Sequence, residues 1–158
     1  MSEWFVKNAR DSQWVECKLG IFCDWDSTRE TFPELGINLN LMQPGEAMTM
    51  YHRENKQEDF LVLEGECLLI VEGEERPLKK WDLFHCPPGV AHAIVGAGDG
   101  PSLVLAVGAR PAAGVVYPAD PVAQKHGAGV AEETSIPKEA YAGIEFPQVP
   151  YKEGWLSD

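Results

Sequence analysis

Four side chains in the middle of the chain have the types and the spacing of a metal site: His52, Glu54, Glu58 and His92. Imidazole nitrogens and carboxylate oxygens bind divalent first-row metals, and two histidines with one carboxylate leave coordination positions free for water or a substrate. His52 and Glu54 leave the same face of the chain if residues 46–54 are extended. These residues predict a site for one divalent ion, with zinc, iron, manganese or nickel as candidates. The alternative is a metal-free pocket in which hydrogen bonds hold the histidines.

A further histidine, His85, lies in the otherwise apolar segment 83–86. If it faces the same cavity, it could serve as an extra ligand or as a general acid or base near neutral pH. If it faces the other way, it is a histidine bonded to a polar backbone group. Glu54 is the second candidate for moving protons, so His85 and Glu54 are the predicted catalytic residues.

Short strands with two covered faces must position these side chains. Glu58, Phe60 and Val62 share one face of a strand, while Leu61 and Leu63 share the other. Apolar residues on both faces indicate that both faces are covered. Many short strands, separated by glycine and proline turns, are typical of an all-β sandwich or barrel.

Other segments repeat the strand pattern. Ile37, Leu39 and Leu41 alternate with Asn38 and Asn40, which predicts a half-buried strand. Further strands are predicted at 14–19, 20–23, 67–71, 81–86, 92–95 and 102–109, with a hairpin turn at 72–74. No segment between residues 35 and 110 has the pattern of a long helix.

The C-terminal arm, residues 110–158, has a different character. It is rich in proline and lacks a sustained period, yet it carries five aromatic residues, too many for a plainly disordered tail. We expect an extended arm that lies over the barrel or over a neighbouring subunit, with a turn of helix at 139–142. Apolar residues on both sheet faces, together with this aromatic arm, predict a homodimer.

Composition excludes several classes of partner. Thirteen basic and twenty-five acidic residues give a formal net charge of −12, which repels nucleic acid and anionic membrane surfaces. No apolar stretch reaches the roughly 20 residues of a membrane span, and the start does not have the pattern of a secretory signal. The four cysteines are interpreted as reduced thiols, with a cysteine zinc site or a disulfide framework as the alternative. We expect a single domain, residues 1–158, in the cytoplasm.

The order of the candidate ligands resembles the first of two motifs of the cupin superfamily. That motif reads G-x5-H-x-H-x(3,4)-E-x6-G, and this chain follows it with Gly45, His52, Glu54, Glu58 and Gly65. The chain departs from the motif in two ways. Six residues rather than five precede the first histidine, and Glu54 stands in place of the second. A carboxylate also binds first-row metals, so this replacement keeps a ligand there and should favour harder ions.

The second cupin motif reads G-x5-P-x-G-x2-H-x3-N, and residues 87–92 (PPGVAH) match its centre. Trp81 stands in place of the opening glycine, and Gly96 stands in place of the final asparagine. The resemblance covers about residues 36–109. Motifs of this length, in this order, are specific for the fold and much less specific for function.

The resemblance implies a small single-domain cupin. The fold would be all-β, a double-stranded β-helix or jelly-roll barrel over residues 36–109, with extended N- and C-terminal arms. His52, Glu58 and His92 would bind the metal at one end of the barrel, with Glu54 as a fourth ligand or a neighbour of the ligands. The expected function is that of a metal-dependent enzyme, of the dioxygenase, isomerase or lyase type, acting on a small organic molecule. The alternative is a cupin that binds a small molecule without catalysis.

Overall fold

Two antiparallel sheets form the fold in the computed structural model, which describes residues 4–25, 32–111 and 113–158. The strands are β1 (Gln13–Glu16), β2 (Ile21–Asp24), β3 (Leu35–Met42), β4 (Glu58–Glu64), β5 (Glu66–Val71), β6 (Glu74–Lys79), β7 (Leu83–Cys86), β8 (His92–Ala97), β9 (Ser102–Ala109) and β10 (Gln148–Pro150). One sheet has the order β10-β1-β2-β3-β9-β4-β7, and the other has the order β6-β5-β8. The all-β prediction is therefore confirmed.

The interior of the barrel lies between the two sheets. Every second residue of a strand points into it, so Phe60 and Val62 of β4 meet Leu69 of β5, Ile94 of β8 and Val104 of β9. These side chains are almost fully buried. Because alternate residues fill the interior, a residue's parity along its strand decides whether it can reach a site inside the barrel.

The C-terminal arm covers the outer face of the three-stranded sheet. Ile70 of β5 and Ala93 of β8 are fully buried there, against Tyr117 and two short helices of the arm. The helices are α1 (Pro121–Lys125) and α2 (Pro137–Ala140), and a proline in the first turn suits each because that position needs no amide donor. The predicted helical turn at 139–142 is present about two residues earlier, and α1 was not predicted.

The two chain ends cover the outer face of the seven-stranded sheet. Trp14 of β1 is fully buried, and its ring lies 5.3 Å from that of Trp155. Strand β10 pairs with β1, and β2 pairs with β3, so both ends extend this sheet. The two ends close the face that alternate residues of β3 and β9 leave apolar. The C-terminal arm is extended only in part, because it also contains α1 and α2.

Strand β3 and the segment that follows β6 differ from the sequence predictions. Asn40 is 7% exposed, so β3 is covered on both faces from Leu39 to Met42, and the prediction of a half-buried strand was wrong for this half of the strand only. Strand β6 was not predicted as a full strand, and β7 begins at Leu83 rather than at residue 81. The delay arises because Trp81 has a positive φ of 75° in a turn that Asp82 closes by accepting a hydrogen bond from Lys79 N.

The segment 46–54 is not a continuous strand. Met48 packs in the interior, whereas Met50 packs beneath the C-terminal arm, so the extended conformation assumed for residues 46–54 was wrong. The chain bends between them, and this breaks the alternation. His52 and Glu54 do lie on the same side, with 3.4 Å between Nε2 and Oε1.

None of the four cysteines forms a disulfide, as the sequence indicated; three are buried and Cys17 is half-buried. Within the described ranges, no helix combines the length and the apolar character that crossing a bilayer would require.

Candidate metal centre

His52 and His92 are brought together by the backbone. Each donates its amide hydrogen to the carbonyl oxygen of the other, at 3.1 Å from His52 N and 2.9 Å from His92 N. His92 is the first residue of β8, and His52 lies in the bent segment that pairs with it. The ring centroids are 4.9 Å apart. Glu58, the first residue of β4, faces both rings from the opposite sheet.

The three side chains have the separations of ligands around one ion. Glu58 Oε2 lies 3.6 Å from His52 Nε2 and 3.3 Å from His92 Nε2, and all three ligand atoms lie within 4.8 Å of one another. Ligands at about 2.1 Å from a common ion are roughly 3.0 Å apart in an octahedron and roughly 3.4 Å apart in a tetrahedron. The set therefore fits a divalent ion with little rearrangement.

Hydrogen bonds to the backbone select the useful tautomer of both histidines. His52 Nδ1 lies 2.8 Å from Met50 O, and His92 Nδ1 lies 3.1 Å from Val90 O. A carbonyl only accepts, so each Nδ1 carries the hydrogen, and in the neutral ring Nε2 keeps its lone pair. Among the described residues, His92 Nε2 is buried and has no hydrogen-bond partner. A buried acceptor without a donor, aimed at a carboxylate, is a ligand position that a metal ion would satisfy.

Glu54 lies beside this set and not within it. Its Oε1 is 3.4 Å from His52 Nε2, but among the described side chains the mutually close ligand atoms belong to His52, Glu58 and His92. Glu54 can reach an ion as a fourth ligand after a side-chain rotation, or it can hold a proton next to the ligands. Both readings from the sequence therefore remain predictions.

The charges of the cluster are coupled. Burial opposes a charge on His52 and is the largest single influence, but hydrogen bonds to Glu54 and Glu58 outweigh it and raise the pKa of His52 to about 10. Burial likewise opposes the carboxylate of Glu58, yet His52 lowers the pKa of Glu58. Burial and the charge of His52 lower the pKa of His92. Without an ion, His52 is charged and His92 is neutral, so an ion must displace the proton of His52.

Cys86 lies behind His92, with its Sγ 3.3 Å from Nδ1. Burial, assisted by the nearby carboxylates, raises the pKa of the Cys86 thiol to about 12. The thiol therefore stays protonated near neutral pH. It is neither a thiolate ligand nor an activated nucleophile, because both roles require the deprotonated sulfur.

The comparisons with known proteins agree with this barrel. Residues 39–108 match a family model described as Cupin domain, and this range contains His52, Glu58 and His92. An RmlC-like cupin from Shewanella frigidimarina NCIMB 400 has a TM-score of 0.58 at 18% identity, over 70% of this chain and 96% of that one. The chain carries a cupin domain. The polyketide cyclase RemF from Streptomyces resistomycificus also has the cupin fold of this chain, with a TM-score of 0.61 at 16% identity, over 72% of this chain and 84% of that one.

One curated relative has an activity in its name. The 5-nitrosalicylic acid 1,2-dioxygenase of Bradyrhizobium sp is 35% identical over 75 residues. The match covers 48% of this chain and 36% of that enzyme, so the chain spans about a third of the curated relative. The two solved structures, at less than 20% identity, show the fold alone.

The C-terminal arm supports His52 from outside the barrel. The ring of Tyr117 lies 5.9 Å from that of His52, and Tyr141 meets Tyr117 edge to face at 5.8 Å. The hydroxyl of Tyr141 accepts a hydrogen bond from Met50 N at 3.1 Å, and Met50 O is the acceptor for His52 Nδ1. The arm thus holds the short backbone segment that fixes the imidazole of His52.

A cavity opens beside the carboxylates. It has a volume of about 250 Å³, and Glu54 and Glu58 form part of its wall together with Asn38 and Gly108. A space of this size, next to the ligand set, can admit a small organic molecule. We call it the first cavity.

The structure does not bring His85 to this centre. In β7, Phe84 and Cys86 pack in the interior, so His85 points outward; its side chain is 57% exposed and its Nδ1 lies 2.6 Å from Asp59 Oδ1. The condition on which its catalytic role depended is therefore not met, and His85 has no part in the function proposed below.

Sequence reasoning missed Asn38, Tyr117 and Tyr141. The alternation of Asn38 and Asn40 with apolar residues was the available signal, but it was interpreted as a face exposed to water. The tyrosines lie in the C-terminal arm, far along the chain from His52, and no local pattern connects them to it.

Proposed function

We propose that this protein is a metal-dependent enzyme that acts on a small organic molecule. The observation that carries the proposal is the ligand set of His52, Glu58 and His92, in which the buried Nε2 of His92 has no hydrogen-bond partner among the described residues. Leaving such an atom unpaired costs about 1–3 kcal/mol. A site that keeps this cost in its metal-free form has a ligand position that an ion would satisfy.

Each residue of the site has a separate proposed role. His52 Nε2, His92 Nε2 and a Glu58 oxygen would hold the ion, which would supply a Lewis-acid or oxygen-binding centre with open positions. The carbonyls of Met50 and Val90 orient the two imidazoles. Glu54 would hold or release a proton next to the ligands, and the first cavity would admit the substrate beside Glu58.

Among the reaction types, a dioxygenase is favoured over an isomerase or a lyase. Two histidines and one carboxylate form the set that non-haem iron(II) oxygenases use. The relative from Bradyrhizobium sp carries the name of a dioxygenase, and it is 35% identical over 75 residues. Since the match covers 36% of that enzyme, its substrate serves here only as a probe.

The test combines metal content with oxygen uptake. Protein purified without nickel resin is reconstituted with iron(II), manganese(II) or zinc(II), and bound metal is measured by inductively coupled plasma mass spectrometry. We expect about one ion per chain in the wild type, its loss in His52→Gln and its retention in His85→Ala, whose exposed imidazole is the matched control. Salicylate and 5-nitrosalicylate, as probes, should increase oxygen consumption with iron(II).

Two results would count against the proposal in different ways. If no metal binds under any condition, the protein is not a metal-dependent enzyme. If metal binds but no probe of the dioxygenase, isomerase or lyase reactions is converted, the non-catalytic binding alternative replaces the enzyme.

We also infer a homodimer in the cytoplasm. Leu83 and Trp81, which are 65% and 67% exposed, lie at the β7 edge of the large sheet and support self-association. Cysteines without disulfides suit a reducing compartment. Gel filtration at monomer mass would exclude the dimer, and fractionation of cells that express the tagged chain tests the location.

A further inference from the structure

A second cavity lies between β2, β3 and the C-terminal arm, and its volume is about 200 Å³. It is predominantly apolar, and its principal side chains are Phe22, Met42, Met48, Tyr141 and Phe146. Phe22 pairs with Asn40 across the sheet, so both lie on the face of β3 that points inward. The lining thus combines the barrel with the arm.

Asn38 connects this second cavity to the first one. Its side chain contributes to the walls of both, and no other residue does so among those that line the two cavities. Asn40 Nδ2 donates a hydrogen bond of 2.6 Å to Asn38 Oδ1. That bond fixes the Asn38 amide and leaves its N–H groups to serve an acceptor at the boundary between the cavities. A ligand can therefore place an apolar part on one side of Asn38 and a polar part on the other.

We propose that the second cavity binds the aromatic ring of the substrate, a single ring whose polar substituents extend past Asn38 towards Glu58. The inference rests on the proposed function and names the substrate class for that site. A cavity of about 150 Å³ is enough to hold benzene, so 200 Å³ has room for one substituted ring and not for two fused rings with substituents. Aromatic walls favour a flat ring, because offset and edge-to-face contacts add to the burial of apolar area.

The C-terminal arm supplies the aromatic wall. Phe146 meets Tyr141 at 5.8 Å between ring centroids, and Tyr141 is anchored by its hydrogen bond with Met50 N. Phe146 is 45% exposed, so one edge of its ring contacts water while the rest of the ring lines the second cavity. The arm, which lies outside the residues that match the cupin family, thus determines which ring fits.

The test measures ring binding in metal-free protein, with fluorobenzene and 4-fluorophenol as probes observed by fluorine-19 NMR. These probes do not need the metal, so the result is independent of metal content. Phe146→Ala should weaken binding by about fivefold to tenfold, because it removes an aromatic contact. Thr49→Leu, which adds apolar volume to the cavity wall, should abolish binding while keeping the fold.

The matched control is Phe5→Ala. Phe5 is 47% exposed and stacks on one aromatic ring, Phe32, at 5.8 Å, so the change removes a similar side chain that does not line the second cavity. It should leave probe binding unchanged. No binding by the wild type, or equal binding by the wild type, Phe146→Ala and Thr49→Leu, overturns the inference.

The outcomes separate this inference from the proposed function. Ring binding in a protein that never holds a metal supports the ring subsite and refutes only the metal-dependent enzyme. Metal-dependent turnover without ring binding in the second cavity refutes the subsite alone. A circular dichroism melt of each variant confirms that the altered chains are folded before binding is compared.

Discussion

Replacing His92 with leucine should stabilise the metal-free protein and remove its response to metal. In the wild type, His92 is 1% exposed and its Nε2 has no hydrogen-bond partner among the described residues. Leucine has a similar size and no polar atom, so it relieves the unpaired acceptor while it fills the space between Phe60 and Phe84, whose rings lie 5.3 and 5.7 Å from the imidazole. It also removes the ligand.

The magnitudes follow from these two effects. Relief of the unpaired nitrogen gains about 1–3 kcal/mol, and loss of the Nδ1 bond to Val90 O costs about 1 kcal/mol, so the metal-free variant should be about 0–2 kcal/mol more stable. An unfolding entropy of about 2.1 cal/mol/K per residue over 158 residues converts this to a rise of about 0–6 °C in the melting temperature. Metal at 100 times its Kd should raise the free energy of unfolding by about 2.7 kcal/mol and the melting temperature by about 8 °C, in the wild type alone.

The assay is thermal unfolding followed by circular dichroism, with EDTA and then with added iron(II), manganese(II) or zinc(II). The expected pattern is a crossing: the variant melts at or above the wild type without metal and below it with metal. A variant that melts well below the wild type in EDTA, together with a wild-type melting temperature that no added metal changes, would contradict this prediction. That result would make His92 a structural residue of the core.

Three further predictions follow from the same contacts. Although burial opposes it, hydrogen bonds to Glu54 and Glu58 raise the pKa of His52 to about 10. The charged imidazole therefore stabilises the metal-free protein fully below about pH 6.5, and this stabilisation is lost as the pH rises towards about 10. Melts in EDTA between about pH 7 and about pH 9 should therefore show a steeper fall for the wild type than for His52→Gln, and equal slopes would argue against the ion cluster. Tyr141→Phe removes the acceptor for Met50 N, so it should lower the free energy of unfolding by about 1–3 kcal/mol and weaken metal binding in a titration. The control is Tyr151→Phe, which should leave metal binding unchanged because the Tyr151 hydroxyl accepts a hydrogen bond from Leu156 N on the other side of the large sheet. Ile70→Ala, at a fully buried position beneath the C-terminal arm, should lower the free energy of unfolding by about 2–5 kcal/mol in urea, whereas Val6→Ala, at a side chain that is 92% exposed, should change it by less than about 0.5 kcal/mol. Equal losses for the last pair would show that the arm does not pack as described.

The proximity of His52, Glu58 and His92 could be predicted because the relevant patterns are local. Period-two alternation places Glu58 on the inner face of β4, and the two motifs fix the order of the strands that carry the histidines. The structure brings these three side chains together. The bend after Met48 could not be predicted, since the alternation of types across it continues as in a strand.

Other features depend on contacts between distant segments. Alternating Asn38 and Asn40 look the same whether their face meets water or a polar cavity, and only the cover supplied by the arm distinguishes the two. The side on which His85 lies depends on the turn at Trp81, which sets the parity of β7. Tyr141 reaches Met50 across 91 residues of chain, and no window of sequence contains both.

Anomalous diffraction from crystals of the reconstituted protein, collected at the absorption edge of the bound metal, shows directly whether His52, Glu58 and His92 bind the ion. We predict one strong peak per chain, at about 2.0–2.3 Å from His52 Nε2, His92 Nε2 and a Glu58 oxygen. A peak only at a surface pair such as His126 and Glu75, where Nε2 and Oε1 are 2.6 Å apart, with no density between the two buried histidines, would contradict it.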